Sequence, residues 1–343
     1  MFENRHKISN WLFIFEKLSF SDKTLRSVKF LIRIIYIGRF SFESLELPEP
    51  RLKTTNYMSK IREALDCAIG NYEGKGGGYR GKNGKIYPNY MSNEEWEEYH
   101  KTIHDDIQEK LKKEIQGEPP KMASFGSSCR MAFDMLNSIP DIDFEKILST
   151  KVSTGRAYLD AYVKRGTREI FTEAKRGEIY DSHLNVEVNE KYLEVYKKLN
   201  KFFSFTTSAS SKERYVKCTF KARDKEIVHF DLKQLICHFL GITAGVLERR
   251  ITAEKIRFVY LIYNPNEIKD CIDNKYRDKI LKQYKETLEE IELFDMKELF
   301  AAVFKVQKEK LQLNRNIKDG LGVECDFEFI LADQNNCADL FKE

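Results

Sequence analysis

Residues 155–180 have the sequence GRAYLDAYVKRGTREIFTEAKRGEIY, and this stretch decides the fold class. Apolar and polar side chains alternate over residues 157–163, and a second strand-like segment covers residues 169–175. The segment between them, KRGTR, has the composition of a turn. The stretch therefore predicts a β-hairpin.

Three charged side chains of this hairpin form a candidate catalytic group. Asp160 lies in the first predicted strand, and Glu173 and Lys175 lie in the second. Residues two apart in a strand point to the same face, so Lys175 should lie beside the Glu173 carboxylate. Magnesium binds a few carboxylates together with water and substrate oxygens, and a nearby ammonium can orient water or stabilise developing charge. The pattern favours metal-assisted hydrolysis of a phosphodiester.

An acidic residue two positions before a lysine is by itself a weak signal, because the chain contains six such triplets: Glu73–Lys75, Glu173–Lys175, Asp231–Lys233, Glu267–Lys269, Asp273–Lys275 and Asp295–Lys297. Only Glu173–Lys175 lies in a predicted strand that follows another acid-bearing strand in a hairpin. The alternative interpretation is an edge hairpin whose charged face is simply solvated.

The same stretch resembles the core motif of the PD-(D/E)xK superfamily of restriction-endonuclease-like nucleases. Asp160 matches the first acid, and Glu173-Ala174-Lys175 matches the ExK element. The chain departs from the pattern at Leu159, where the family has proline, and this change leaves the carboxylate in place. The resemblance covers roughly residues 120–245 and includes three further segments: Phe125-Gly126-Ser127-Ser128, Phe144-Glu145-Lys146 and Asp231-Leu232-Lys233-Gln234-Leu235.

The resemblance implies a fold, a cofactor and further site residues. The fold would be a central mixed sheet flanked by helices, and the metal would be Mg²⁺ with Mn²⁺ as a substitute. Glu145 would be the upstream acid and a third metal ligand beside Asp160 and Glu173. Gln234 would be the polar residue on a later helix and would complete the catalytic set with Lys175.

The rest of the chain predicts a mixed α/β fold with helical additions at both ends. We expect helices at residues 58–72, 92–115, 127–137, 190–203, from Asp231 onward, and 276–311. Strands are expected at residues 215–220, 257–263 and 325–331. Residues 73–90 are rich in glycine and lysine and are expected to form a loop that contacts a polyanion.

Residues 1–57 have a different composition and are predicted to be an appendage that catalysis does not need. They contain ten Lys/Arg and six Asp/Glu, so residues 58–343 carry 48 of each sign and are neutral overall. We predict a nuclease domain at residues 58–343, with its catalytic core at about 120–265. The alternative is that residues 1–57 are an ordinary pair of helices of the same domain.

Several other functional classes fit the sequence poorly. Residues 76–82 match G-x-x-x-x-G-K, but Asn83 follows where a phosphate loop needs Ser or Thr. His100 and His104 lack the glutamate of a zinc protease, because Lys101 follows the first histidine. Seven cysteines without a CxxC pair indicate reduced, buried thiols and a cytoplasmic location. No apolar run is long enough to span a membrane.

The leading hypothesis is therefore a magnesium-dependent endonuclease that acts on DNA in a restriction or repair reaction. Two alternatives stay open: an RNA-cleaving enzyme of the same fold, and a catalytically silent domain that binds nucleic acid. One site cuts one strand, so cleavage of both strands of a duplex would require two sites, which a homodimer would supply.

Overall fold

The computed structural model describes residues 54–152, 154–314 and 326–341. They belong to one compact unit, residues 54–343. Most of the predicted appendage, residues 1–53, lies outside the described residues. The last four residues of that predicted segment form the first turn of a helix, which begins at Thr54 rather than at Met58.

The described α-helices are α1 Thr54–Tyr72, α2 Asn93–His100, α3 Asp105–Lys110, α4 Lys112–Ile115, α5 Ser128–Leu136, α6 Leu193–Lys198, α7 Leu232–Leu247, α8 Asn274–Ile291 and α9 Met296–Asn314. The described strands are β1 Gly77–Arg80, β2 Ile86–Met91, β3 Asp143–Ser149, β4 Arg156–Arg165, β5 Arg168–Lys175, β6 Val186–Asn189, β7 Ser204–Ala209, β8 Tyr215–Ala222, β9 Lys225–Glu226, β10 Lys255–Ile262 and β11 Asp326–Ala332.

A mixed five-stranded sheet with the order β11-β10-β5-β4-β3 forms the centre of the fold. β5 pairs with β4 in the predicted hairpin and with β10 in parallel, and β10 also pairs in parallel with β11. Every residue of β5 after its first is buried, because sheet and helices cover this strand on both sides. The expectation of a mixed α/β fold with a central mixed sheet flanked by helices is confirmed.

Helix α7 packs closely against the sheet and fixes the position of the candidate site. A Cβ atom at Gly241 would lie 2.9 Å from the Cβ of Ala157 and 3.0 Å from the Cβ of Leu148, so glycine permits this approach. The helix begins where the sequence predicts: the Asp231 side chain accepts a hydrogen bond of 2.9 Å from the Gln234 backbone N–H. Gln234 thus lies in the first turn of α7.

Two long helices expected from the sequence are interrupted. The helix predicted at 92–115 ends at His100, and the Thr102 hydroxyl donates to the Tyr99 carbonyl, which turns the chain before α3 begins. The helix predicted at 276–311 is divided at residues 292–295, where Phe294 is buried and Asp295 accepts from the Glu298 N–H. A third, predicted at 190–203, is α-helical only over α6. Burial and local capping override the helical pattern.

The glycine-rich segment forms a β-hairpin instead of a loop. β1 and β2 pair antiparallel, with Tyr79 opposite Tyr87 and Arg80 opposite Ile86. Gly77 and Gly78, the first two residues of β1, have φ values of +96° and +77°, a backbone conformation that favours glycine. The glycines therefore serve strand geometry here rather than a phosphate loop.

All six cysteines in the described part of the chain are free thiols. Cys129, Cys218 and Cys337 are buried, but Cys67 and Cys271 are exposed, so the expectation of buried thiols was wrong for these two. Within the described residues, no helix combines the length and the apolar character that a membrane crossing requires.

One buried carboxyl of α1 gives a testable pH dependence. Burial raises the pKa of Asp66 to about 6, against the lowering effect of the hydrogen bond from Asn89. The folded chain therefore holds this proton more tightly than the unfolded chain, whose aspartates have a pKa of about 3.9. Stability should fall as the pH rises from about 4 to about 6, by up to about 3 kcal/mol from this group, and the loss should remain at higher pH.

Asp66→Asn should remove that component of the pH dependence. The measurement is the free energy of unfolding at pH 4 and pH 7 for the unmodified protein, for Asp66→Asn and for Asp270→Asn, an exposed control. Between pH 4 and pH 7, the free energy of unfolding of Asp66→Asn should fall less than that of Asp270→Asn. An identical pH dependence in all three proteins would show that Asp66 titrates normally.

Candidate active site

A pocket of about 860 Å³ lies over the end of the β4–β5 hairpin, between the sheet and residues 105–128. Asp160, Glu173, Lys175, Glu145 and Gln234 all line it. The five site residues expected from sequence are thus brought together by β3, β4, β5 and the first turn of α7. The volume lies within the range of about 300–1,000 Å³ that is typical of ligand pockets.

Asp160 joins the two strands of the hairpin where their regular pairing stops. The β4–β5 pairing runs from Arg165–Arg168 to Ala161–Thr172, and beyond it the Asp160 Oδ2 accepts a hydrogen bond of 2.7 Å from the Ala174 N–H. The carboxylate takes the place of a backbone acceptor and is fixed beside the ExK triplet. Its side chain remains partly exposed toward the pocket.

Glu173 and Lys175 form an ion pair that helix α7 contacts at two points. The Lys175 Nζ lies 2.8 Å from Glu173 Oε1 and donates to Gln234 Oε1 at 2.6 Å. One turn later on α7, His238 Nε2 lies 3.0 Å from Glu173 Oε2. The Glu173 and His238 side chains are at most 3% exposed and that of Lys175 is 9% exposed. Helix α7 therefore holds each residue of the pair in position through one contact.

Burial of this pair differs from what the sequence suggested. The alternative interpretation, an edge hairpin, would leave Glu173 and Lys175 on a solvated charged face. Both are buried, because α7 covers that part of β5. His238 is a site residue that the sequence analysis did not assign. Its spacing of four from Gln234 was the available signal, because residues four apart share a helix face.

The electrostatics of the site distinguish the two carboxylates. Burial, followed by repulsion from Glu173, raises the pKa of Asp160 well above its usual value. Burial also opposes ionisation of Glu173, but Lys175 and His238 outweigh it and hold the pKa of Glu173 at about 2. Burial would lower the pKa of Lys175, yet Glu173 outweighs it and raises that pKa well above the usual value. Lys175 is therefore a cation at neutral pH while it is paired with Glu173.

Glu145 lies in the pocket but in unusual backbone geometry. Its φ is +57°, which is uncommon for a residue with a side chain, and it lies on β3 beside the part of β4 that contains Asp160. Burial, then Glu114 and then Glu173 raise its pKa to about 7. Three carboxyl groups consequently lie in one region, and Lys113 and Lys121 only partly offset the effect on Glu145.

Among the described residues, no group of three or more His, Cys, Asp or Glu side chains is arranged to hold a metal ion. The three-carboxylate set Asp160, Glu173 and Glu145 is thus not preformed. Magnesium, however, is usually bound by one or two carboxylates plus water and substrate oxygens. Asp160 and Glu173 are donors of that kind, and a divalent cation would relieve their mutual repulsion. Both Glu173 oxygens are in contact here, Oε1 with Lys175 and Oε2 with His238, so a metal would have to displace one of these contacts.

A second buried network supports the end of β5 and was not expected from the sequence. The Ser128 Oγ accepts from the Arg176 backbone N–H at 2.9 Å and donates to Glu178. The Arg176 side chain shares the Glu73 carboxylate with the buried Arg130. This network ties β5 to α5 and to the end of α1, directly after Lys175.

Comparisons with known proteins found no matching family model, no matching curated protein and no matching solved structure. The resemblance to the PD-(D/E)xK superfamily stays a prediction, and function has to be argued from the geometry of the site.

Proposed function

We propose that the protein is a metal-dependent nuclease with a restriction-endonuclease-like core and that it hydrolyses phosphodiester bonds of DNA at the pocket over β4 and β5. One observation carries the proposal. The Lys175 Nζ lies between Glu173 Oε1 and Gln234 Oε1, at 2.8 Å and 2.6 Å, beside Asp160 on the neighbouring strand. A structural ion pair has no need of a second carboxylate beside it, whereas metal-assisted hydrolysis does.

Each residue of the site has a distinct part in this proposal. Asp160 and Glu173 would hold Mg²⁺, which when bound activates water and stabilises charge on the phosphate. Lys175 is a cation beside Glu173, so it would orient water and stabilise negative charge rather than accept a proton. Gln234 and His238 keep the Lys175–Glu173 pair in place. Glu145 is close enough to influence Glu173 electrostatically but is not needed as a third ligand.

A cleavage assay tests this function and separates it from its alternatives. The purified protein is incubated with supercoiled plasmid, single-stranded DNA and single-stranded RNA, with Mg²⁺ or with a chelator. We expect cleavage products from DNA when Mg²⁺ is present and none when the chelator is present. Cleavage of RNA only would make the enzyme a ribonuclease, and binding without cleavage of any substrate would show a silent domain.

Gln234→Ala should reduce the cleavage rate by about 10–100-fold, as loss of an outer partner of a metal site typically does. The Lys175 ammonium would lose its neutral acceptor and one of its two fixed contacts. Stability should change little, because the Asp231 cap uses the backbone of residue 234. The measurements are cleavage rate and melting temperature, with the exposed Gln116→Ala as control. An unchanged rate would leave Gln234 as part of the helix cap only.

A further inference from the structure

The mouth of the pocket contains features that the proposed chemistry does not use. Tyr158 and Ile147 are 44% and 48% exposed and are thus among the most exposed large hydrophobic residues in the described part of the chain. They pair with each other across β4 and β3, and both line the pocket. Their exposure is costly to an isolated sheet, so a ligand that covers them would be favoured.

Tyr158 lies close to the proposed reacting groups. It is two residues from Asp160 on β4, so the two side chains project to the same side, about 7 Å apart along the strand. An aromatic ring at that separation can support the base of a nucleotide whose phosphate lies at Asp160. Base stacking on an aromatic side chain contributes about 1–3 kcal/mol and does not depend on sequence.

The opposite wall of the pocket is basic. Residues 105–123 supply four lysines and two glutamates to its lining: Lys110, Lys112, Lys113, Lys121, Glu109 and Glu114. Lys112 and Lys121 are 52% and 66% exposed and pair only with nearby glutamates. Such exposed pairs are weak, so these lysines can exchange a glutamate for a phosphate at little cost. The exposed lysines suit the phosphates of a nucleic-acid backbone. The carboxylates deeper in the pocket suit a cation that contacts the reacting phosphate.

The burial of the reacting groups and the exposed ring of Tyr158 favour one class of nucleic acid. Glu173 and Lys175 are at most 9% exposed, so the reacting bond must reach well into the pocket. The bases of a duplex are paired and stacked on one another, so they are not free to stack on Tyr158. The bases of an unpaired strand are free to do so.

We propose that the pocket binds an unpaired segment of a nucleic-acid strand, with a base stacked on Tyr158 and phosphates on Lys112, Lys113 and Lys121. This inference rests on the proposed function for the position of the reacting phosphate. It adds the class of substrate: unpaired strands, flaps or ends rather than continuous duplex.

Equilibrium binding separates this inference from catalysis. In an Asp160→Asn background, which prevents cleavage, the affinity for a labelled single-stranded DNA oligonucleotide is compared with that for the duplex of the same sequence and for a single-stranded RNA. Tyr158→Ala should weaken single-strand binding on the order of 10-fold, and Tyr158→Phe should retain it. The matched control is Tyr215→Ala, because Tyr215 is an exposed tyrosine on β8, a strand that is not part of the central sheet. Lys113→Ala should weaken binding and reduce its salt dependence, whereas Lys282→Ala should not.

Each outcome decides the inference. Duplex affinity equal to single-strand affinity, or an effect of Tyr158→Ala no larger than that of Tyr215→Ala, would overturn it. If Tyr158→Ala lowers the melting temperature, Tyr158→Leu retains the apolar contact without the ring and should show the same loss of binding. Tyr158-dependent binding without Mg²⁺-dependent cleavage by the unmodified protein would retain the binding site and reject the nuclease. If the protein cleaves duplex DNA and Tyr158→Ala does not affect that cleavage, the nuclease function is retained and the binding site for an unpaired strand is rejected.

Discussion

Asp160→Asn is expected to abolish magnesium-dependent cleavage while leaving the protein folded. The amide can still accept the Ala174 N–H, which is the hydrogen bond that fixes the Asp160 side chain. A neutral amide also removes the repulsion between this side chain and Glu173. The melting temperature at neutral pH should therefore stay the same or rise, while Mg²⁺ affinity falls. Gain of stability with loss of activity is typical of active-site residues.

The matched control is Asp143→Asn, the same chemical change on the neighbouring strand β3. Asp143 pairs with Lys110 and Lys146 and does not line the pocket. The Asp143→Asn protein should cleave DNA at nearly the rate of the unmodified protein. If Asp160→Asn binds Mg²⁺ and cleaves as well as this control, Asp160 is not a ligand.

Lys175→Met is expected to lower the cleavage rate by about 10²–10³, the usual cost of losing one group that stabilises charge in the transition state. Mg²⁺ should still bind, because the ammonium is not a ligand. Binding of nucleic acid should be affected much less than the rate. The substitution removes one partner of a buried ion pair, which typically costs about 3–5 kcal/mol of stability, and the remaining contact of Glu173 with His238 limits that cost.

Lys164→Met, on the exposed part of β4, serves as the control for Lys175→Met. Rates are compared at a temperature at which circular dichroism shows both variants to be folded. A folded Lys175→Met protein with the full rate would contradict the role assigned to the ammonium. Glu173→Gln provides the complementary result: it should lose both Mg²⁺ affinity and cleavage.

The hairpin and three of the candidate site residues, Asp160, Glu173 and Lys175, could be predicted because their signals are local. Glu145 and Gln234 were assigned only from the resemblance to a known family. Alternation fixed the two strands, and a spacing of two placed Lys175 beside Glu173, where the Nζ–Oε1 distance is 2.8 Å. The helix start at Asp231 followed from its capping side chain. These features depend on neighbours in sequence, so a single sequence contains enough information for them.

Other features depend on contacts between distant segments and could not be predicted. The burial of Glu173 and Lys175 results from α7, which begins more than 50 residues later, as the Lys175–Gln234 contact shows. The breaks in the helices predicted at 92–115 and 276–311 result from burial and capping that helical periodicity does not reveal. The positive φ of Glu145 has no sequence signal, and neither has the pairing of Ile147 with Tyr158 at the pocket mouth.

The most direct test of the account is the initial rate of DNA cleavage by the unmodified protein and by Asp160→Asn, purified identically and compared with and without Mg²⁺. Single-stranded and flap-containing DNA are the substrates, and melting temperatures confirm that both proteins are folded. The account predicts cleavage by the unmodified protein in Mg²⁺, no cleavage with a chelator, and no cleavage by Asp160→Asn under either condition. Equal cleavage by the two proteins, or no metal-dependent cleavage of any nucleic acid by the folded unmodified protein, would contradict it.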